Sequence, residues 1–201
     1  MITLALDTSS GTSVAVLDGT TVLASLDYQE NMTHAERIGQ ALEDVLNQAK
    51  IKTNQLDRIV VGLGPGPFTG LRVGIAAAKL FSLGAQVELV GVCSLDSIAF
   101  QFYAAGNNAN LLVTTDARRQ EHFWAKYSGL AQSVPVRLEG PSVNKPAEIT
   151  EAGFVRCDFR VSAAALGQIA YHQGDQVNRL ITPIYLREPD ATPGKAKKVS
   201  G

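Results

Sequence analysis

Residues 62–74 read Gly62-Leu63-Gly64-Pro65-Gly66-Pro67-Phe68-Thr69-Gly70-Leu71-Arg72-Val73-Gly74, and they follow directly on the β-branched run Ile59-Val60-Val61. A strand therefore delivers the chain into a turn of alternating glycine and proline. Glycine permits positive φ and close backbone approach, while proline fixes φ. The loop is expected to be stiff and to launch a helix, with Thr69 placed to cap it. Two phosphate-loop readings fail on the residues present. A Walker loop needs GxxxxGK[ST], and the chain contains no Gly-Lys-Ser/Thr. A dinucleotide fingerprint needs GxGxxG, whereas here the spacing is GxGxG with prolines inserted. What stands is a rigid strand–helix connector, whose free N–H groups at the helix start could hold an anion.

The helix beyond it, to about residue 83, carries Leu71, Val73, Ile75, Ala76, Ala77, Ala78, Leu80, Phe81 and Leu83, with Arg72, Lys79 and Ser82 as its polar exceptions. A helix apolar nearly all round needs cover on both sides. One side is expected on its own sheet. Two readings are open for the other: burial under a neighbouring helix, or cover by a partner protein.

Working outward, residues 2–7, 13–17 and 22–27 read as strands, the last two joined through the Asp18-Gly19 turn of a hairpin. Residues 33–50 are helical in period, with Ile38, Ala41, Leu42, Val45 and Ala49 on one face and Thr33 and Glu36 spaced as a capping box. Residues 87–93 and 94–103 continue as strand and helix, which makes an α/β domain of mixed sheet over residues 1–104. The small, polar run 104–110 predicts a domain boundary. A second, smaller α/β domain is expected over 105–190. In it, strands are predicted at 111–115, 122–127 and 134–138, helices at 146–153 and 162–174, and an edge strand or extended tail at 184–187. Residues 191–201 read as a flexible basic tail with Lys195, Lys197 and Lys198.

Of the 201 residues, 45% are hydrophobic and 18% charged, and the net charge is −1. This apolar content can bury a core without staples. The charge balance argues against unaided binding of nucleic acid, which draws its affinity from phosphate neutralisation. The opening MITLALDTSS lacks a signal-peptide pattern, and no unbroken apolar run reaches the roughly 18 residues of a membrane span. A cytoplasmic location is expected. Cys93 and Cys157 fit no metal-ligand spacing and read as reduced thiols, with a disulfide left open. Ser9, Ser10 and Ser13 have no histidine arrangement near them for nucleophilic hydrolysis.

The segments LALDTSSGTSVAVLDG, GLGPGPFTGLRVGIAAAKLFSLG, GVCSLDSIA, DARRQEHFWAKY and PIYLR lie in this order across almost the whole chain. Together they resemble the TsaB (YeaZ) family. The resemblance implies an actin/Hsp70/sugar-kinase-like (ASKHA) fold of two related α/β domains, the second reduced in this chain. It implies a non-catalytic subunit that pairs with TsaD, and with TsaE, for threonylcarbamoyl transfer to the adenosine next to the anticodon in tRNA. TsaC would supply the adenylate intermediate. No cofactor is expected on this chain alone, with ATP or ADP and metal in TsaD or at the joint surface, and a homodimer is the expected alternative when TsaD is absent.

The family's pairing helices map onto 33–50 and 70–84, which gives His34, Ile38, Leu42, Val45, Leu71, Arg72, Ile75, Ala78, Lys79 and Ser82 as interface candidates. The resemblance also raises an alternative, a kinase-like ATPase or M22-type peptidase of the same superfold. The catalytic paralogue's HxxxH would put two imidazoles on one helix face, but here the stretch is His34-Ala35-Glu36-Arg37-Ile38, and Ile38 cannot bind a metal. Asp7, Thr8 and Ser9 stand where nucleotide-binding members place an acid and hydroxyls, and Asp116 with Arg118 forms an acid–base pair on a turn. These five are the candidates for an anion or nucleotide contact. For Asp7 a turn-capping role through its own backbone is the preferred reading, and for Asp116 and Arg118 a structural or interface role.

Overall fold

The structure, a computed structural model, describes residues 1–28 and 34–187, with side chains in the first helix from residue 37 onward. The predicted capping box of Thr33 and Glu36, the side chain of His34 and the tail 191–201 lie outside the described residues.

Strands β1 (Ile2–Asp7), β2 (Thr12–Asp18), β3 (Thr21–Tyr28), β4 (Arg58–Gly62) and β5 (Glu88–Val92) form one sheet in the order β3-β2-β1-β4-β5. The first three are antiparallel neighbours, and β1, β4 and β5 run parallel. Side chains alternate between faces along each strand. Leu4, Leu6, Val14, Val16, Ile59 and Val61 thus point to one core, while Ala5, Ala15, Leu17 and Val60 point to another. Burial on both faces explains why these strands read as nearly continuous apolar runs.

Helices α1 (His34–Ala49) and α2 (Phe68–Ala85) cover the first face. Helix α2 begins at Phe68 after Pro67, so Thr69 lies inside it and no side chain caps its start. Its 18 residues have a mean hydropathy of 1.2, long and apolar enough to cross a bilayer by length and composition. Arg72 and Lys79 break the apolar run in sequence but do not lower the mean below that level. Its buried residues Gly70, Leu71, Gly74, Ile75 and Ala78 face the protein's own core.

Helix α3 (Ser94–Ala104) leads to a second sheet, β6 (Leu111–Asp116), β7 (His122–Ala131) and β8 (Val134–Asn144), all antiparallel in that order. Helix α4 (Ala163–Gln173) comes from the second half of the chain yet packs on the far face of the first sheet, through Ala163, Leu166, Ile169 and Ala170. Gly167 allows this approach, since a Cβ there would sit 2.6 Å from Leu17 Cδ1. The run 104–110 therefore separates two sheets, while the core beneath the first sheet is shared by both halves of the chain.

Three predicted elements differ. Strand β8 extends to Asn144 because residues 142–144 resume pairing with β7 beyond Gly140-Pro141, which lies at a register shift. The predicted helix 146–153 is only a 3₁₀ turn, Pro146–Glu148, because Ile149 turns extended and is buried with Leu112 and Trp124. Residues 184–187 form no strand. They form a strap over the start of α2, with the Ile184 N–H donating to the Leu63 carbonyl at 2.8 Å and the Tyr185 ring on Phe68.

Candidate functional site: a buried carboxylate and an exposed helix face

Asp7 ends β1 and is 1% exposed. Its Oδ1 accepts the Ser9 N–H at 2.7 Å and the Ser9 hydroxyl at 2.6 Å, and its Oδ2 accepts the Ser94 hydroxyl at 2.5 Å. Ser94 Oγ in turn accepts the Gly64 N–H at 3.0 Å, and the Thr8 hydroxyl donates to the Gly70 carbonyl at 2.7 Å. A carboxylate taken from water needs this many donors to offset its desolvation. The glycines make the approach possible. A Cβ at Gly62 would lie 1.7 Å from Asp7 Oδ2, and one at Gly74 would lie 2.1 Å from Thr8 Oγ1. The glycine-rich segment and the Asp7-Thr8-Ser9 turn are therefore one packed unit, in which the polar groups face one another.

A cavity of about 230 Å³ opens beside Asp7, lined also by Thr12, Ser13, Asp27, Gln101, Arg160 and Ser162 among others. Neither Asp116 nor Arg118 lines it. Asp116 Oδ1 instead accepts the Arg118 N–H at 2.7 Å, and its other oxygen lies 3.8 Å from the Arg118 guanidinium. Arg118, Arg119 and Gln120 are all left-handed, at φ of 62°, 54° and 60°, each at a cost of about 1–2 kcal/mol. Arg187 holds the turn from behind by donating to the Ala117 carbonyl at 2.8 Å and to the Glu121 carboxylate. The five anion candidates thus fall into two separate groups. In the first group Asp7, Thr8 and Ser9 bond within the protein, and in the second Asp116 accepts the Arg118 N–H across its turn.

Sequence reasoning missed a second buried network. Asp96 Oδ1 accepts the Tyr127 hydroxyl at 2.7 Å and the Arg137 guanidinium at 2.6 Å. Burial, reinforced by the Asp96 charge, pushes the Tyr127 hydroxyl well above its ordinary pKa and the neighbouring Cys93 thiol up to about 12. Asp96 was visible only as an acid in the first turn of a helix; its partners lie 31 and 41 residues away. Both cysteines are free. Among the described residues no group of three or more His, Cys, Asp or Glu is placed to hold a metal. Ile38, at the second position of the HxxxH-like stretch, is buried in the core beneath α1.

The interface candidates divide sharply. Ile38, Leu42, Val45, Ile75 and Ala78 are buried in the core against the sheet, because the stripe that follows the helical period is the one the sheet covers, and Leu71 is buried as well. Ser82 is half-buried and donates to the Val87 carbonyl at 2.7 Å. Arg72 and Lys79 are exposed. On α2 the large apolar groups that face solvent are Leu80 and Leu83, 71% and 76% exposed. Beside them a groove of about 410 Å³ runs between α1 and α2, lined by Leu42, Ala77, Leu80, Phe81 and the edge of Ile38 among others.

Residues 28–191 match a family model described as TsaD: tRNA N6-adenosine threonylcarbamoyltransferase. An uncharacterized protein of Mycobacterium tuberculosis is 35% identical over 174 residues, which cover 80% of this chain and 78% of that one. The tRNA threonylcarbamoyladenosine biosynthesis protein TsaB of Escherichia coli is 31% identical over 149 residues, covering 74% of this chain and 64% of that protein. The protein of the same name from Bacillus subtilis is 32% identical, covering 67% and 59%. This chain therefore spans about three fifths of the length of these two TsaB relatives. In fold it is similar to YeaZ from Pseudomonas aeruginosa, with a TM-score of 0.77 at 24% identity over 92% of this chain and 99% of that one. The mixed five-stranded sheet and its helices have the actin/Hsp70/sugar-kinase-like architecture that the motifs predicted.

Proposed function

From its membership of the TsaB (YeaZ) family, we propose that this chain is a non-catalytic subunit in the biosynthesis of threonylcarbamoyladenosine in tRNA. In this reading it pairs through the α1/α2 face with a TsaD-type transferase. TsaE joins the pair, TsaC supplies the adenylate, and nucleotide and metal reside in TsaD or at the joint surface. Contact with tRNA comes through the complex, and a homodimer is the state expected when TsaD is absent.

The observation that carries this reading is the pair of exposed leucines, Leu80 and Leu83, beside an apolar groove. Two large aliphatic side chains held in water beside such a groove each forgo roughly 1.5–3 kcal/mol of burial, and covering them is the natural gain of association. The enclosure of Asp7 by Ser9 and Ser94 supports a structural rather than a catalytic use of that carboxylate.

The deciding experiment is reconstitution of the modification with TsaC, TsaD, TsaE, ATP, bicarbonate, threonine and tRNA, with and without this chain. The reading requires product to depend on the chain, and equal yield without it would sink the proposal. Hydrolysis of ATP by the isolated chain, abolished by Asp7→Ala in a variant that stays folded, would point instead to a kinase-like ATPase.

A further inference from the structure

The cavity beside Asp7 is built by the register of the first sheet. Asp7 of β1 lies opposite Ser13 of β2, and Ser13 lies opposite Asp27 of β3. Side chains paired in this way stand about 5 Å apart. The three point to the face that carries α4, because Leu6, Val14 and Leu26, one place along each strand, belong to the opposite core. The start of α4 closes over the middle of the row, where the Ala163 N–H donates to Ser13 Oγ at 2.8 Å. Between the row and residues 160–162 is left the space of about 230 Å³, which Asp27 and Arg160 both line.

The charges in this space are used differently. Asp7 is buried, and its two oxygens already take three hydrogen bonds within the protein. Asp27 stands exposed at the rim, and among the described residues its carboxylate makes no hydrogen bond or ion pair. Arg160 comes from the other half of the chain, on a segment fixed by the bond from Gln101 Nε2 to the Arg160 carbonyl at 2.7 Å. Arg160 has contacts of its own, and the five donors of a guanidinium allow it more than one partner. Yet Arg160 and Asp27 do not pair with each other, although they line one cavity. Elsewhere across the fold acid and base meet, as Arg137 does Asp96 and Lys126 does Glu139. Here a gap is kept between them.

We propose that this gap is a binding site for a small zwitterion of the amino-acid class, with its ammonium on Asp27 and its carboxylate on Arg160. The site is on the opposite face of the sheet from α1 and α2, so it does not rest on the proposed pairing. Charge does the selecting. Two carboxylates, Asp7 and Asp27, against one guanidinium disfavour a bare anion such as a phosphate ester, and Arg118 lies outside the cavity. A simple amine satisfies Asp27 but faces Arg160 as a like charge. A molecule carrying both charges satisfies both walls, its carboxylate matching the fork of the guanidinium. At about 30 Å³ per water the space equals about seven waters, room for a small amino acid rather than a nucleoside. The Ser10 hydroxyl at the rim suits a polar side chain on it.

The test is an NMR titration of the full chain, labelled with nitrogen-15, following the amides of residues 10–13 and 160–163. The probes are L-serine, L-threonine and β-alanine, against ethanolamine with the amine alone, lactate with the acid alone, and ATP. The zwitterions are expected to shift these amides, with the single-charge probes at least about tenfold weaker. Asp27→Asn and Arg160→Gln should each weaken L-serine about tenfold. The first should erase its advantage over lactate and the second its advantage over ethanolamine, a change of preference that a merely structural role would not produce. Circular dichroism checks the fold of both variants, and the wild-type comparison among probes decides the matter even if one of them unfolds. Amides that none of the three zwitterions moves would overturn the proposal. So would ethanolamine or lactate binding as tightly as L-serine, ATP binding in its place, or folded variants with the wild-type preference.

Discussion

At its start the 62–74 segment closes on Asp7 and Thr8, with Gly62 and Gly74 against their side-chain oxygens. At its far end the same segment becomes α2, whose outer face leaves Leu80 and Leu83 in solvent. Gly62, Gly64 and Gly70 reach Asp7, Ser94 and Thr8 by close approach or backbone bonding. Leu80, Leu83, Arg72 and Lys79 stand in solvent on the opposite side of a helix that shares their sequence. The contrast shows how glycine-rich and apolar stretches can be adjacent in sequence and opposite in purpose. Buried polar contacts here serve stability, and the exposed apolar ones are those that the proposed association would cover.

Substitutions can break that contrast in order of their effect on stability. Gly62→Ala should be the most damaging. Its methyl group would collide with Asp7 Oδ2 at 1.7 Å, within a sheet that cannot shift, and about 3 kcal/mol or more should be lost in urea denaturation. Full stability in this variant would show that the carboxylate is not packed as described. Asp7→Ala should cost about 2 kcal/mol by stranding the Ser9 and Ser94 donors, with Asp7→Asn recovering part of the loss.

Glu88 tests the edge of the same sheet through pH. Burial works to raise its pKa, but bonds from Arg179 and then Arg58 outweigh this and hold the carboxyl below its ordinary 4.5. The folded value is thus lower than the unfolded one. Its contribution is complete above about pH 4.5 and is lost as pH falls through the folded value. Glu88→Gln should remove that acid-dependent part, under about 1 kcal/mol, from thermal melts taken between pH 3 and 7. The smallest effect belongs to Leu80→Ser and Leu83→Ser, which should leave stability within about 0.5 kcal/mol per site. A large loss would mean that the outer face of α2 supports the fold after all.

Much of the first sheet could be read from period and turn alone. The apolar runs of β1 and β2, the Gly19 turn at φ 59° and the β-branched strand before Gly62 all arise from local residues. What could not be read depends on distant partners. Nothing near Ala163–Gln173 says that this helix lies under the first sheet, since its contact with Leu17 depends on Gly167 meeting a strand near the N-terminus. The preferred turn-capping role of Asp7 agrees with its bond to the Ser9 N–H, but its second partner, Ser94, is 87 residues away. The resemblance names the two pairing helices, and the candidates Ile38, Leu42, Val45, Leu71, Ile75 and Ala78 on them lie on the buried faces, which the helical period selects. The exposed leucines sit off that period, and they emerge only when the buried face is subtracted.

The strap has a consequence for how the protein is made. Arg72 and Tyr185 are 113 residues apart, and Ile184 packs against the cores of both sheets. A chain emerging from the ribosome presents α2 early, but its Phe68–Arg72 end stays unfinished until the strap arrives. Domains generally fold in order of synthesis, so the first sheet can form while this corner waits. The strap then closes this corner, and a nascent chain completes the outer face of α2 only after Tyr185 has been made.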